Sequence, residues 1–121
     1  MVVYGSLPMM VTAQCMKKTV ERCSGKPEIL FLKDRMGKEF PVKNHCRFCY
    51  NTIYNSSPLS LLKEKKRIDA LELSCLRLSF TTEEPEEAVR VIRAFADVFL
   101  YGKEAELSGE YTRGHFKRGV E

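Results

Sequence analysis

The chain reads as an α/β protein, mixed α+β as an isolated piece, and three observations predict it. Short apolar runs of strand length recur between turn signals from the first residues to about residue 80. Between Thr82 and Gly102, apolar side chains fall at helical spacing behind an acidic first turn. The run 74–80 leads through a short turn into that helix, the strand, turn, helix succession that α/β proteins use.

Val2-Val3-Tyr4 predicts a strand entering the turn Gly5-Ser6-Leu7-Pro8, and Met9 to Thr12 a second extended run. Because the chain starts almost inside a strand, it is expected to be a piece of a longer protein. Residues 13–27, which include Ser24-Gly25-Lys26-Pro27, read as loop. Glu28 to Arg35 is a strand built on Ile29, Leu30, Phe31 and Leu32, and Met36-Gly37-Lys38 turns it into a hairpin. Glu39-Phe40-Pro41-Val42 returns as the partner. Pro41 cannot donate to a ladder, which predicts an edge or a strand end there.

Asn51 to Asn55 predicts another short strand. Ser57 is placed to cap a helix with Pro58 first and Leu59, Leu61 and Leu62 inside, and Lys63 to Arg67 is its solvated end, favoured by the helix dipole. Ser74 to Phe80 alternates, Leu76, Leu78 and Phe80 on one face, Cys75, Arg77 and Ser79 on the other. Thr82 then caps a helix whose Glu83, Glu84, Glu86 and Glu87 surround its positive end, with Val89, Ile92, Phe95, Ala96 and Phe99 on the apolar face. The tail from Gly109, through Thr112-Arg113-Gly114-His115-Phe116 to Lys117-Arg118-Gly119, reads as a basic loop. Three stretches result: 1–57 with most of the cysteines, 58–102, and the tail 103–121.

At 121 residues, 44% hydrophobic and 30% charged, the chain has the balance of one globular domain or part of one. No apolar run approaches the roughly 20 residues of a membrane-spanning helix, and no export signal opens the chain, so a soluble, cytoplasmic protein is expected. In that compartment five cysteines predict reduced or ligated thiols. The net charge of +4 is unevenly spread: residues 1–68 carry 13 Lys/Arg against 5 Asp/Glu, residues 69–121 carry 7 against 11. The basic half suits a phosphate backbone such as RNA, and an ordinary solvated face would look the same. Nucleophile-elbow, zinc-protease, Walker and dinucleotide-binding signatures are absent from the sequence.

The chemistry-bearing pattern is Cys15-x7-Cys23-x22-Cys46-x2-Cys49. A Cys-x2-Cys pair converges two thiolates from one tight turn, and two more cysteines complete four-coordination of zinc or of an iron–sulfur cluster. Cys15 and Cys23 are too far apart for a tidy zinc ribbon, and iron–sulfur sites accept scattered ligands, which favours a cluster with zinc as the alternative. Ordinary buried packing is the remaining explanation. Cys75, alone among apolar neighbours, reads as packing. His45 is placed to support Cys46 from outside, and His115 lies in the tail; neither is assigned a catalytic role.

Four strings occur in order: Tyr4-Gly5-Ser6-Leu7-Pro8-Met9-Met10-Val11-Thr12 followed by Cys15; Leu32-Lys33-Asp34-Arg35-Met36-Gly37-Lys38-Glu39-Phe40-Pro41-Val42; Ile53-Tyr54-Asn55-Ser56-Ser57-Pro58-Leu59; and Thr112-Arg113-Gly114-His115-Phe116-Lys117-Arg118-Gly119-Val120-Glu121. Together they resemble the collagenase-like peptidases of unassigned catalytic type, family thirty-two, over nearly the whole chain. The resemblance implies the C-terminal portion of a (β/α) barrel-like domain with a β-hairpin insertion. It also implies a parent enzyme: several relatives are oxygen-independent hydroxylases of a tRNA or ribosomal RNA base or of the ubiquinone ring, and hold a four-iron, four-sulfur cluster on four cysteines. The tRNA-modifying branch uses prephenate as hydroxyl source. Cys15 and Cys23 match cluster positions, and a further ligand is expected shortly before Ile53-Tyr54-Asn55, where both Cys46 and Cys49 stand. Where some relatives place the fourth thiol, this chain has Ser24 and Gly25, so both Cys46 and Cys49 are candidate ligands, with Cys75 an outside one. The family name implies a peptidase as the alternative activity, and a piece that only completes the parent barrel is the third reading.

Overall fold

A computed structural model describes residues 1–117, and the end of the basic tail, residues 118–121, lies outside the described residues. The chain forms two compact units: one from Leu7 to Ser56, the other from Met1–Ser6 together with the chain from Ser57 on. The described residues are mixed α and β, with two sheets and three helices beside one 3-10 turn.

The unit 7–56 is a four-stranded sheet of β2 (Pro8–Thr12), β3 (Ile29–Lys33), β4 (Glu39–His45) and β5 (Tyr50–Tyr54) in the order β2-β5-β4-β3, every neighbour antiparallel. The tip of the β3–β4 hairpin is built by Asp34, whose Oδ1 accepts the amides of Met36 and Lys38 at 2.8 and 2.9 Å, while Gly37 takes the left-handed φ of 81°. Pro41 does not mark an edge. β4 lies between β3 and β5, and Pro41 sits opposite Phe31; β5 pairs with β4 only from Val42 onward, so the missing N–H falls where that second ladder has ended. Residues 13–27 are not all loop either, because Met16–Val20 forms one short helix, α1, held by the Thr19 amide and hydroxyl on the Cys15 carbonyl at 3.1 and 3.0 Å.

The other unit holds β1 (Val2–Gly5), β6 (Leu59–Ser60), α2 (Lys65–Asp69), β7 (Arg77–Ser79) and α3 (Pro85–Phe99), with strand order β6-β1-β7. β1 runs antiparallel to β6 and parallel to β7. Gly5 permits that parallel contact: at φ 149° its absent Cβ would stand 2.5 Å from the Ser79 carbonyl oxygen. Val3, Tyr4, Leu61, Leu62, Ile68, Val91, Phe95 and Val98 are buried here.

Several expectations change in this unit. Leu59 does not enter a helix after Ser57 and Pro58; it pairs with Gly5 and bridges to Thr112, and helix begins only after Leu61, first as a 3-10 turn over Leu62–Glu64. The run 74–80 is strand only at Arg77–Ser79. Cys75 is exposed, not packed. Glu84, rather than Thr82, precedes α3, and the Thr81 and Thr82 amides instead donate to Glu83 Oε2 at 2.6 and 3.0 Å. The buried stripe of α3 is Val91, Ala94, Phe95 and Val98, while Val89 and Ile92 are exposed.

Candidate metal centre

Sheet register brings the segments that bear the four cysteines to one end of the sheet. Thr12, the last residue of β2, lies opposite Asn51 at the start of β5; His45, the last of β4, lies opposite Tyr50; and Ile29, the first of β3, lies opposite Lys43. The exit of β2, the entry to β3 and the β4–β5 turn therefore share one end of the sheet. Cys15 follows β2, Cys23 lies in the connection entering β3, and Cys46 and Cys49 bound the four-residue turn.

Buried amides fix these segments. Asn51, fully buried, donates from Nδ2 to the Gln14 carbonyl at 2.6 Å, one residue before Cys15. Asn44, opposite Asn51 in the ladder, accepts the Glu28 backbone N–H on Oδ1, and its backbone N–H donates to the Glu28 carbonyl at 3.2 Å. Lys17 of α1 reaches Glu21 at 2.6 Å and Glu28 at 3.3 Å, tying the Cys15 helix to the entry of β3; these hydrogen bonds hold its ammonium above the ordinary lysine range. Asn44 Nδ2 and Asn51 Oδ1 remain buried without a partner.

The β4–β5 turn closes through the Phe48 amide on the His45 carbonyl at 3.0 Å. Cys49 then takes a left-handed φ of 53°, a conformation that glycine or asparagine usually fills. Cys46 donates its thiol to the Lys26 carbonyl at 2.9 Å, and Cys49 approaches the Cys46 carbonyl at 3.7 Å. Burial raises the Cys46 thiol pKa first, and then the charges of Cys23, Cys15, Cys49 and Glu28 raise it further.

Among the described residues, no three His, Cys, Asp or Glu side chains already stand close enough to hold a metal ion. The donor set is nevertheless four soft thiols, the type that selects zinc or iron–sulfur, and all four are free. Donor chemistry and backbone placement fit such a group, which would compete with the Lys26 and Cys46 carbonyls for the sulfurs.

His45 does not turn to Cys46; its Nε2 lies 3.2 Å from Thr52 Oγ1 and its ring stacks on Tyr50 with centroids 4.3 Å apart. His115 is exposed, in the turn after Arg113. Cys75 belongs to the other unit. Sequence reasoning missed Asn44 and Asn51, whose signal was a polar residue at an inward-facing strand position. It also missed the Arg47, Phe48 and Tyr50 group, in which Arg47 lies 5.4 Å over the Phe48 ring. The chain matches no protein-family model, no curated protein and no solved structure.

Proposed function

We propose that this chain carries the cluster-binding part of an iron–sulfur-dependent, oxygen-independent hydroxylase acting on an RNA base, with Cys15, Cys23, Cys46 and Cys49 as ligands. The observation that supports the reading is that the segments bearing these four cysteines leave and enter the strands at one end of a single sheet. A strained left-handed cysteine at position 49 supports it, because such strain persists where a side chain is needed in place. The resemblance to the collagenase-like family supplies the reaction class.

A bound cluster would supply the redox capacity that protein side chains lack. The chain's own residues do the rest. Asn51 and Asn44 fix the two connections that present Cys15 and Cys23, and the Lys26 carbonyl holds the Cys46 proton until the thiol is ligated. Lys26 and Arg47 beside the cysteines favour an anionic substrate. The parallel β1–β7 pair followed by α3 supports a (β/α) barrel-like parent. Among the described residues no helix is long and apolar enough to cross a membrane.

Nucleoside mass spectrometry of RNA from cells with and without the gene tests the reading. The expected result is a nucleoside that lacks one oxygen in the deletion strain, restored by the wild-type gene and not by Cys15→Ala. An unchanged nucleoside profile, with gelatin cleavage that survives replacement of all four cysteines, would favour a peptidase instead.

A further inference from the structure

We infer that the outward face of the four-stranded sheet, together with the tip of the β4–β5 turn, is a stacking platform for unpaired bases of single-stranded RNA. This deepens the RNA reading above and rests on it for the identity of the polymer.

The sheet has two unlike faces. Val42, Asn44 and Asn51 point inward and are buried. Ladder partners share a face, so the opposite side carries Phe31 and half-buried Pro41, Ile29 and Lys43 beside buried Thr52, then half-buried His45 and Tyr50. Phe31 is 61% exposed, and Phe48, at the turn beyond Tyr50, is 69% exposed. Isolated exposed apolar residues need no explanation, but these are ordered. His45 and Tyr50 are parallel within 15° at 4.3 Å, Phe48 continues the series at 6.5 Å from Tyr50, and Arg47 lies on Phe48.

Rings presented in series beside cations are what unpaired bases use: every base has a π-face, and the neighbouring guanidinium and ammonium meet the phosphates between bases. Lys43 and Arg47 supply those cations beside the rings. The acidic group on this face, Glu39, sits at the far end opposite Lys33. A duplex hides its base faces, so the platform selects single strands. It adjoins Cys46 and Cys49, so a base stacked on Phe48 lies next to the thiols.

The test is fluorescence polarisation of the full chain with a single-stranded RNA of about ten nucleotides, within the span of known single-strand sites, across a series of KCl concentrations. Phe48→Leu keeps apolar bulk and removes the ring; it should weaken binding about tenfold without changing the salt dependence, and Phe48→Trp should restore affinity. Arg47→Gln should instead lower the slope of log affinity against log salt by about 0.7 to 1. Phe31→Leu should behave as Phe48→Leu. Both phenylalanines are exposed, so these variants keep the fold, which circular dichroism verifies. Wild-type affinity in both leucine variants, equal binding of a duplex, or no RNA binding at all would overturn the platform. Because binding is read on the metal-free chain, a chain that binds RNA on Phe48 but takes up no iron would sink the cluster reading alone.

Discussion

Cys46 places its sulfur 2.9 Å from the carbonyl oxygen of Lys26, twenty residues earlier in the chain. That contact joins the turn bearing Cys46 and Cys49 to the connection bearing Cys23. Serine keeps a donor at this position and alanine does not. Cys46→Ala is therefore expected to lower stability in denaturant titration, and Cys46→Ser to lower it less. Both should lower iron content. Full iron in Cys46→Ser would remove Cys46 from the ligand set.

Cys49 offers a comparison between two substitutions that both delete the thiol. Its φ of 53° strains any side chain and suits glycine. Cys49→Gly should be about 1 kcal/mol more stable than Cys49→Ala in the metal-free protein, with equal loss of metal binding. Equal stability of the two would show that the turn relaxes when the cysteine is gone.

Alkaline pH should destabilise the metal-free fold. The Cys46 thiol and the Tyr4 hydroxyl both have raised pKa values, Cys46 chiefly by burial and then by neighbouring thiolates, Tyr4 chiefly by burial and then by Glu83. A raised folded-state pKa means that the folded protein binds more protons than the unfolded chain above the unfolded pKa. Stability is then complete below about pH 8.5 and falls as pH rises, first through the cysteine and above about pH 10 through Tyr4. Tyr4→Phe removes the second component. The Tyr4 hydroxyl is buried without a hydrogen bond of normal geometry, so this variant should match the wild type at pH 7 within about 1 kcal/mol. Thermal melts from pH 7 to 11 would check both statements. A melting temperature that holds level across that range would contradict them.

Glu64 is buried and meets Arg113 at 3.1 Å, Lys117 at 3.6 Å and Arg67 at 3.9 Å. Its cations are half exposed, so solvent screens much of the attraction, and Glu64→Gln is expected to cost about 1–2 kcal/mol. The loss should shrink in high salt, which chemical denaturation by urea at two ionic strengths would reveal.

β3 was legible because Ile29–Lys33 is a compact apolar run bounded by turn residues, whereas β4 continues past Val42 through polar Lys43, Asn44 and His45, which no local apolar signal marks. Local signals failed where distant partners decide. Ser57 and Pro58 form a sound helix start, yet Leu59 is drawn into a ladder by Gly5 and Thr112, more than fifty residues away on either side. α1 was invisible for the opposite reason: it is a single turn with no buried residue and so carries no apolar periodicity. The cysteine spacing marks a candidate site in the sequence, but that the segments bearing Cys15 and Cys46 share one end of the sheet needed the strand register. Cys75 looked like packing because its neighbours are apolar, whereas the strand there starts only at Arg77 and leaves the thiol in solvent.

Iron and acid-labile sulfide analysis of the chain purified without oxygen tests the central claim most directly. The expected result is a brown protein holding about four of each per chain, the content of one cubane cluster, with both lost in Cys15→Ala. A colourless protein, or one holding a single zinc and no iron, would contradict it.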